Sequence, residues 1–171
     1  VVFTTAMTGY QEILTDPSFH GQIVLLTTAE VGITGINPED LESTKIQVAG
    51  FIVRKMSREP SNWRATQSLP DWLEQHGVVA LDGVDTRALT RHLRMRGTMR
   101  GILSTDPSLT DEDLVTRARA ARGVVGQDFS QQVSVEEALS WVEDLEPARW
   151  YDHSKHRPAP PVARSGSIDP G

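Results

Sequence analysis

Apolar residues along the first hundred positions fall into short clusters whose spacing changes part-way. Val1 to Ala6 and Gln22 to Thr27 group β-branched and apolar side chains, which predicts two strands, the second buried on both faces. Ile46, Val48, Phe51, Ile52 and Val53 alternate in part and predict a third strand over 46–53, with Gly50 as a bulge. Between the first two strands lies TGYQEILTDPSFHGQ, residues 8–22, which fits neither a helical nor a strand period. It reads as a polar connection with a turn fixed by Asp16-Pro17. Gly32, Gly35, Asn37 and Pro38 mark a second, longer connection.

Helical signals follow. Ser68 with Asp71 predicts a capped short helix that buries Trp72 and Leu73 and stops at Gly77. Val78 to Leu81 reads as a short strand. Asp85 caps a longer helix with Ala88, Leu89, His92, Leu93 and Met95 largely on one face, ended by Gly97. Met99 to Thr105 returns to strand character. Thr110 with Asp113 opens a further helix through Leu114, Ala118 and Ala121, closed by Gly123, and Ser134 with Glu137 forms another capping box. From Pro147 the pattern dissolves into RPAPPVARSGSIDPG, a disordered tail or linker by composition. Strands first, then helices mixed with short strands, predict a compact β/β/α or α+β domain; the fold class expected is α+β, a mixed sheet with flanking helices.

The 171 residues suffice for one domain with a sizeable core. A net charge of −6 disfavours generic attraction to nucleic acid or an anionic membrane, and no apolar run approaches the roughly 18 residues of a membrane helix. Cysteine is absent, so disulfides, thiolate metal sites and a cysteine nucleophile are excluded from this chain. A reducing compartment such as the cytoplasm is compatible. The start at Val1-Val2-Phe3, without an initiator Met and already strand-like, reads as that of a fragment.

Chemistry-bearing motifs are sparse. The chain has no GxGxxG, phosphate loop, HExxH or GxSxG. His153 and His156 lie close together in the tail, where no rigid shell would orient metal ligands, so no metal site is expected. Carboxylates crowd 136–146, which suits helix termini better than acid–base work. Arg87, Arg91, Arg94, Arg96 and Arg100 crowd a short span. That span reads as a solvated helix face, as a protein interface or set of internal pairs, or as a nucleic-acid surface, the last without a recognisable module.

VVFTTAMTGYQEILTDPS at 1–18 closely resembles the N-terminal region of the small subunit of glutamine-dependent carbamoyl-phosphate synthase. NPEDLES at 37–43, SNWR at 61–64 and DTRALTRHLRMRG at 85–97, followed by Gly101, match in order and spacing, so the resemblance covers roughly 1–125. It implies a swivelling β/β/α-type domain that precedes a class I amidotransferase domain with a Cys-His-Glu triad. Ammonia from glutamine passes to the large subunit, which combines it with bicarbonate and ATP to give carbamoyl phosphate for arginine and pyrimidine synthesis. The resemblance thus implies a cytoplasmic, non-catalytic domain over 1–126, with a helical extension over 127–146 and the tail over 147–171. Its partners would be the amidotransferase domain and the large subunit, with glutamine met indirectly and neither nucleic acid nor membrane involved. No cofactor is expected in this chain, ATP and Mg belonging to the large subunit.

Of the site residues, the resemblance carries Ser18 over as one that reaches the glutamine pocket of the neighbouring domain; by itself Ser18 reads equally as a turn residue after Pro17. Tyr10, Gln11, Glu12, Asp16, Arg87, Arg91 and Arg94 are the expected interface residues. The chain departs from the family at 26–35, where LTTAEVGITG keeps both glycines but lacks the family's Tyr-Pro pair and Asn. That departure leaves a second reading, a diverged interaction module that kept the fold and lost the complex.

Overall fold

The computed structural model describes residues 1–134 and, beyond them, the backbone of 151–152 and 157–158. It divides into two compact units, Val1–Val133 and Ser134–Gly171. The Ser134–Glu137 capping box, the 136–146 carboxylates, His153 and His156, and most of the 127–146 extension and 147–171 tail lie outside the described residues.

The first unit is built on a four-stranded sheet in the order β1 (Val2–Thr4), β2 (Ile23–Leu26), β3 (Gly50–Ile52), β4 (Ala80–Leu81). All three pairings are parallel, with Val2 opposite Val24, Val24 opposite Phe51, and Phe51 opposite Ala80. This corrects the expected mixed sheet and moves the domain from the α+β to the α/β class. The reason lies in the connections. Helix α1 (Tyr10–Thr15) crosses from β1 to β2 and α2 (Leu69–Gln75) from β3 to β4, each returning the chain to the end it left.

Alternation along the strands then sorts the core into two faces. Val24, Leu26, Phe51 and Val53 pack with Tyr10 and Leu14 of α1 and with Leu69, Trp72 and Leu73 of α2. Leu25 and Ile52 point the other way, against Leu93 and Leu89 of α3 (Thr86–Arg96), with Phe3, Ile23 and Leu103 around them. Each fully buried aliphatic or aromatic side chain contributes about 1.5–3 kcal/mol relative to exposure.

The capped helices form as expected. The side chains of Ser68 and Asp85 accept from the amides of Asp71 and Ala88 at 3.2 and 3.0 Å, and Thr110 and Asp113 complete a capping box on α4 (Asp111–Ala120). Other details differ. Residues 8–22 carry α1 and a 3₁₀ turn, Pro17–Phe19, in place of an irregular connection. Helix α3 buries Thr86 and Leu93 with Leu89 and Thr90 half-buried, while Ala88, His92 and Met95 face solvent, since at about 100° per residue Met95 lies well round from Leu93. Helix α4 ends at Ala120, before Gly123.

The segment 99–105 is no strand. Met99 exchanges backbone hydrogen bonds with Val1 at the sheet edge, and Leu103 then lies over β3. Gly50, paired in regular register with Ile23, is therefore no bulge. A Cβ there would stand 2.7 Å from the Leu103 side chain, so Gly50 makes room for that crossing. Beyond these lie a short helix α5 (Ser130–Val133) and, in the second unit, an antiparallel pair β5 (Tyr151–Asp152) and β6 (Arg157–Pro158). No helix among the described residues is long and apolar enough to cross a membrane.

Candidate functional site

The 8–22 segment is organised by α1, which starts at Gly9 in a left-handed conformation (φ 76°) with no side-chain cap. Its polar side chains turn inward. The Tyr10 hydroxyl donates to the Gly35 carbonyl at 2.6 Å and accepts from the Thr34 hydroxyl at 2.9 Å. The Gln11 amide pairs with the backbone of Asn37, its Nε2 donating to the carbonyl and its Oε1 accepting from the amide at 3.0 Å. Thr15 donates to the Gln11 carbonyl at 2.9 Å and accepts from the Glu42 amide at 3.0 Å. Tyr10 and Gln11, expected at an interface, are thus buried and bound within the chain, at 7% and 3% exposure. They fasten the 34–43 loop onto α1. Gly35, with φ 65°, has no room for a side chain: a Cβ would lie 2.6 Å from Ala65 and 2.8 Å from Pro60.

The 3₁₀ turn follows at once. Asp16 Oδ1 accepts from the Ser18 amide at 2.7 Å, and the Ser18 carbonyl accepts from Gln22 Nε2 at 2.9 Å. His20 is held between the side-chain oxygens of Gln47 and Gln132 at 2.8 and 2.9 Å, with the Phe129 ring edge-on at 5.6 Å. The backbone of Ser18 is therefore pinned while its side chain is exposed, and among the described residues its hydroxyl makes no hydrogen bond. Such a hydroxyl can donate to a carboxylate or accept from an ammonium.

At the other end of α1 an open cleft of about 480 Å³ is lined by residues of four segments, among them Glu12, Glu30, Asp40 and Arg64. One guanidinium nitrogen of Arg64 donates to Asp40 at 2.6 Å, Glu39 at 3.1 Å and Asn37 Oδ1 at 3.3 Å. Asn37 in turn accepts from the amides of Glu39 and Asp40, and so shapes the turn Arg64 grips. Glu12 stands beside this network without a salt bridge among the described residues. Burial raises its pKa, as do the charges of Asp40 and Glu42, against the pull of its own backbone amide and of Arg64. Met7 and Ile33, also in the lining of the cleft, stand exposed. In the sequence NPEDLES and SNWR carry only the family resemblance, and no local pattern shows that they meet here; an acidic Asn-Pro turn with arginines beyond it is the available signal.

Arg87, Arg91 and Arg94 are exposed on α3, away from both features. The fold divides the expected residues into an α1 group, with Glu12 and Asp16 half-buried and Ser18 exposed, and the α3 group across the sheet.

A family profile described as "Carbamoyl-phosphate synthase small chain, CPSase domain" matches residues 1–103. The chain belongs to that family. Carbamoyl phosphate synthase small chains from Nitratidesulfovibrio vulgaris, Thermotoga maritima and Nostoc sp. PCC 7120 are 53%, 52% and 50% identical over 141, 139 and 141 residues. Those stretches cover 81–82% of this chain and 35–37% of the relatives, so the chain spans little more than a third of a small chain's length. An aligned length of 141 residues also carries the similarity past the expected limit at residue 125. The α1 segment, the Arg64 cleft and α3 all fall within the part that the carbamoyl-phosphate synthase small-chain profile matches.

Proposed function

We propose that this chain is a non-catalytic, swivelling β/β/α-type N-terminal domain of a carbamoyl-phosphate synthase small chain. It presents Ser18 to a glutamine-hydrolysing amidotransferase domain, which follows it in the complete small chain. Ammonia released there passes to the large subunit, where ATP and magnesium are bound and carbamoyl phosphate is made for arginine and pyrimidine synthesis in the cytoplasm. The observation that carries this reading is Ser18 itself: a backbone fixed at 2.7 and 2.9 Å by Asp16 and Gln22, and a solvent-facing hydroxyl with no partner among the described residues. A residue that merely closed its own turn would spend the hydroxyl there, as Ser108 and Ser130 do on Asp106 and Asp128. Glu12 and Asp16 stand on the same segment and would border the contact.

Ser18→Ala in a complete small chain tests the proposal. A lost hydrogen bond to a charged ligand group weakens binding by roughly 1.5–3 kcal/mol, so half-saturating glutamine should rise about tenfold or more. The maximal rate should change far less. Unaltered half-saturation would reduce Ser18 to a turn residue.

A further inference from the structure

Arg87, Arg91 and Arg94 recur on α3 at i, i+4 and i+7, so they share an arc of roughly 60° and a stripe about 10 Å long. All three are exposed, and among the described residues none makes an ion pair or a hydrogen bond. Ala88 and Met95, the latter 82% exposed, lie directly beside the stripe. Arginine and methionine next to one another on an open surface are what the core of a protein interface favours.

The N-terminal part of the stripe works against the helix that carries it, whereas Arg94 stands in the last turn, where the dipole favours a cation. Like charges at i, i+4 repel. Arg87 also sits at the second helical position, where the positive end of the helix dipole disfavours a cation, and the first turn holds no acid. Helix α4 of the same chain instead opens on Asp111, Glu112 and Asp113; the two helices agree only at their C-terminal ends, where Arg94 and Arg96 of α3, like Arg117 and Arg119 of α4, suit the dipole. Solubility alone gives no reason for the α3 pattern in a chain of net charge −6. An acidic surface that pairs with the guanidinium groups does.

We infer that the Arg87, Arg91 and Arg94 face of α3 is a docking surface for an acidic protein surface, contributed by the large subunit. The inference rests on the function proposed above, and the fold supplies the choice of partner. Helix α3 covers the sheet face bearing Leu25 and Ile52, whereas α1, with Phe19 of the Ser18 turn, packs on the face bearing Val24 and Phe51. A domain that uses Ser18 meets one side of the sheet, which leaves the α3 side for a different body. The negative charge of the whole chain opposes a nucleic acid at long range, while a local patch of carboxylates matched to the stripe suffices for a protein.

The test is association of a complete small chain with its large subunit, followed across a salt series, for the wild type and for Arg87→Glu/Arg91→Glu. The dissociation constant should rise about tenfold or more, and its salt dependence should flatten. Arg87→Glu places an acid at the helix start, so the variant should unfold at no lower temperature than the wild type, which separates lost docking from lost folding. Arg119→Glu on α4 is the control and should associate like the wild type. Unaltered affinity and salt dependence in the double variant would overturn the assignment, as would salt-sensitive binding of duplex DNA or single-stranded RNA that the double variant loses. A wild type that fails to associate with the large subunit would overturn the functional reading and the inference together. Association that is indifferent to the substitutions removes the inference alone.

Discussion

Glu12 is a half-buried carboxylate at the third position of α1, with Asp40 and Glu42 near it and Arg64 already committed to Asp40 and Glu39. Burial, then those neighbouring charges, raise its pKa above the ordinary glutamate value. The folded chain therefore holds the proton more tightly than the unfolded one. Stability from this source is present in acid and is lost as pH rises through the folded-state pKa. Glu12→Gln removes the charge without changing shape, so it should stabilise the domain at pH 7 by about 0.5 kcal/mol, a figure kept small by solvent screening. The gain should vanish by about pH 3, below the pKa of both states, where the wild type carries the proton folded or unfolded. Urea unfolding at the two pH values measures this, and a loss of stability at pH 7 would mean that Glu12 is paired.

At the scale of elements, the crossing of Leu103 over Gly50 ties the segment after α3 to the middle of the sheet. Gly50→Ala should cost about 1–3 kcal/mol, because a methyl group 2.7 Å from Leu103 forces one of them to move. In a Leu103→Ala background the same change should cost much less, and a double-mutant cycle by chemical denaturation would read the coupling. Additive effects would show that the two residues do not meet. This crossing was illegible in the sequence, where 99–105 reads as one more strand and Gly50 as a bulge. Helices α2, α3 and α4 were legible because a cap is a local device: Ser68 with Asp71, Asp85 with Ala88, Thr110 with Asp113. Helix α1 was not, since Gly9 offers no side-chain cap and buried Gln11 and Thr15 break the apolar pattern. Strand direction and the Arg64 cleft depend on residues far apart in sequence, Asp40 and Arg64 being 24 positions apart, and no local pattern encodes such meetings.

At the scale of the whole first unit, the sheet carries α1 and the Ser18 turn on one side and the arginine face of α3 on the other. The unit's C-terminal limit bears on the first of these. The compact unit runs to Val133, seven residues past the limit that composition and resemblance suggested at 126. Phe129 and Gln132 account for the difference, because both hold His20, two residues after Ser18. A chain ending at Val133 should unfold at the same temperature as the first unit of the full chain. One ending at Gly126 loses an aromatic contact and a hydrogen bond, together about 1–2 kcal/mol, or roughly 3–6 °C for a domain of this size. The loss should be local as well as global. The His20 ring protons should shift in the NMR spectrum of the shorter chain, and protease cleavage between Pro17 and Gly21 should quicken, because the turn then keeps only Gln47 on that ring. Equal melting temperatures and an unshifted His20 would place residues 127–133 outside the folded unit. The Ser18 turn would then be held by Asp16, Gln22 and Gln47 without help from the segment that leads out of the domain.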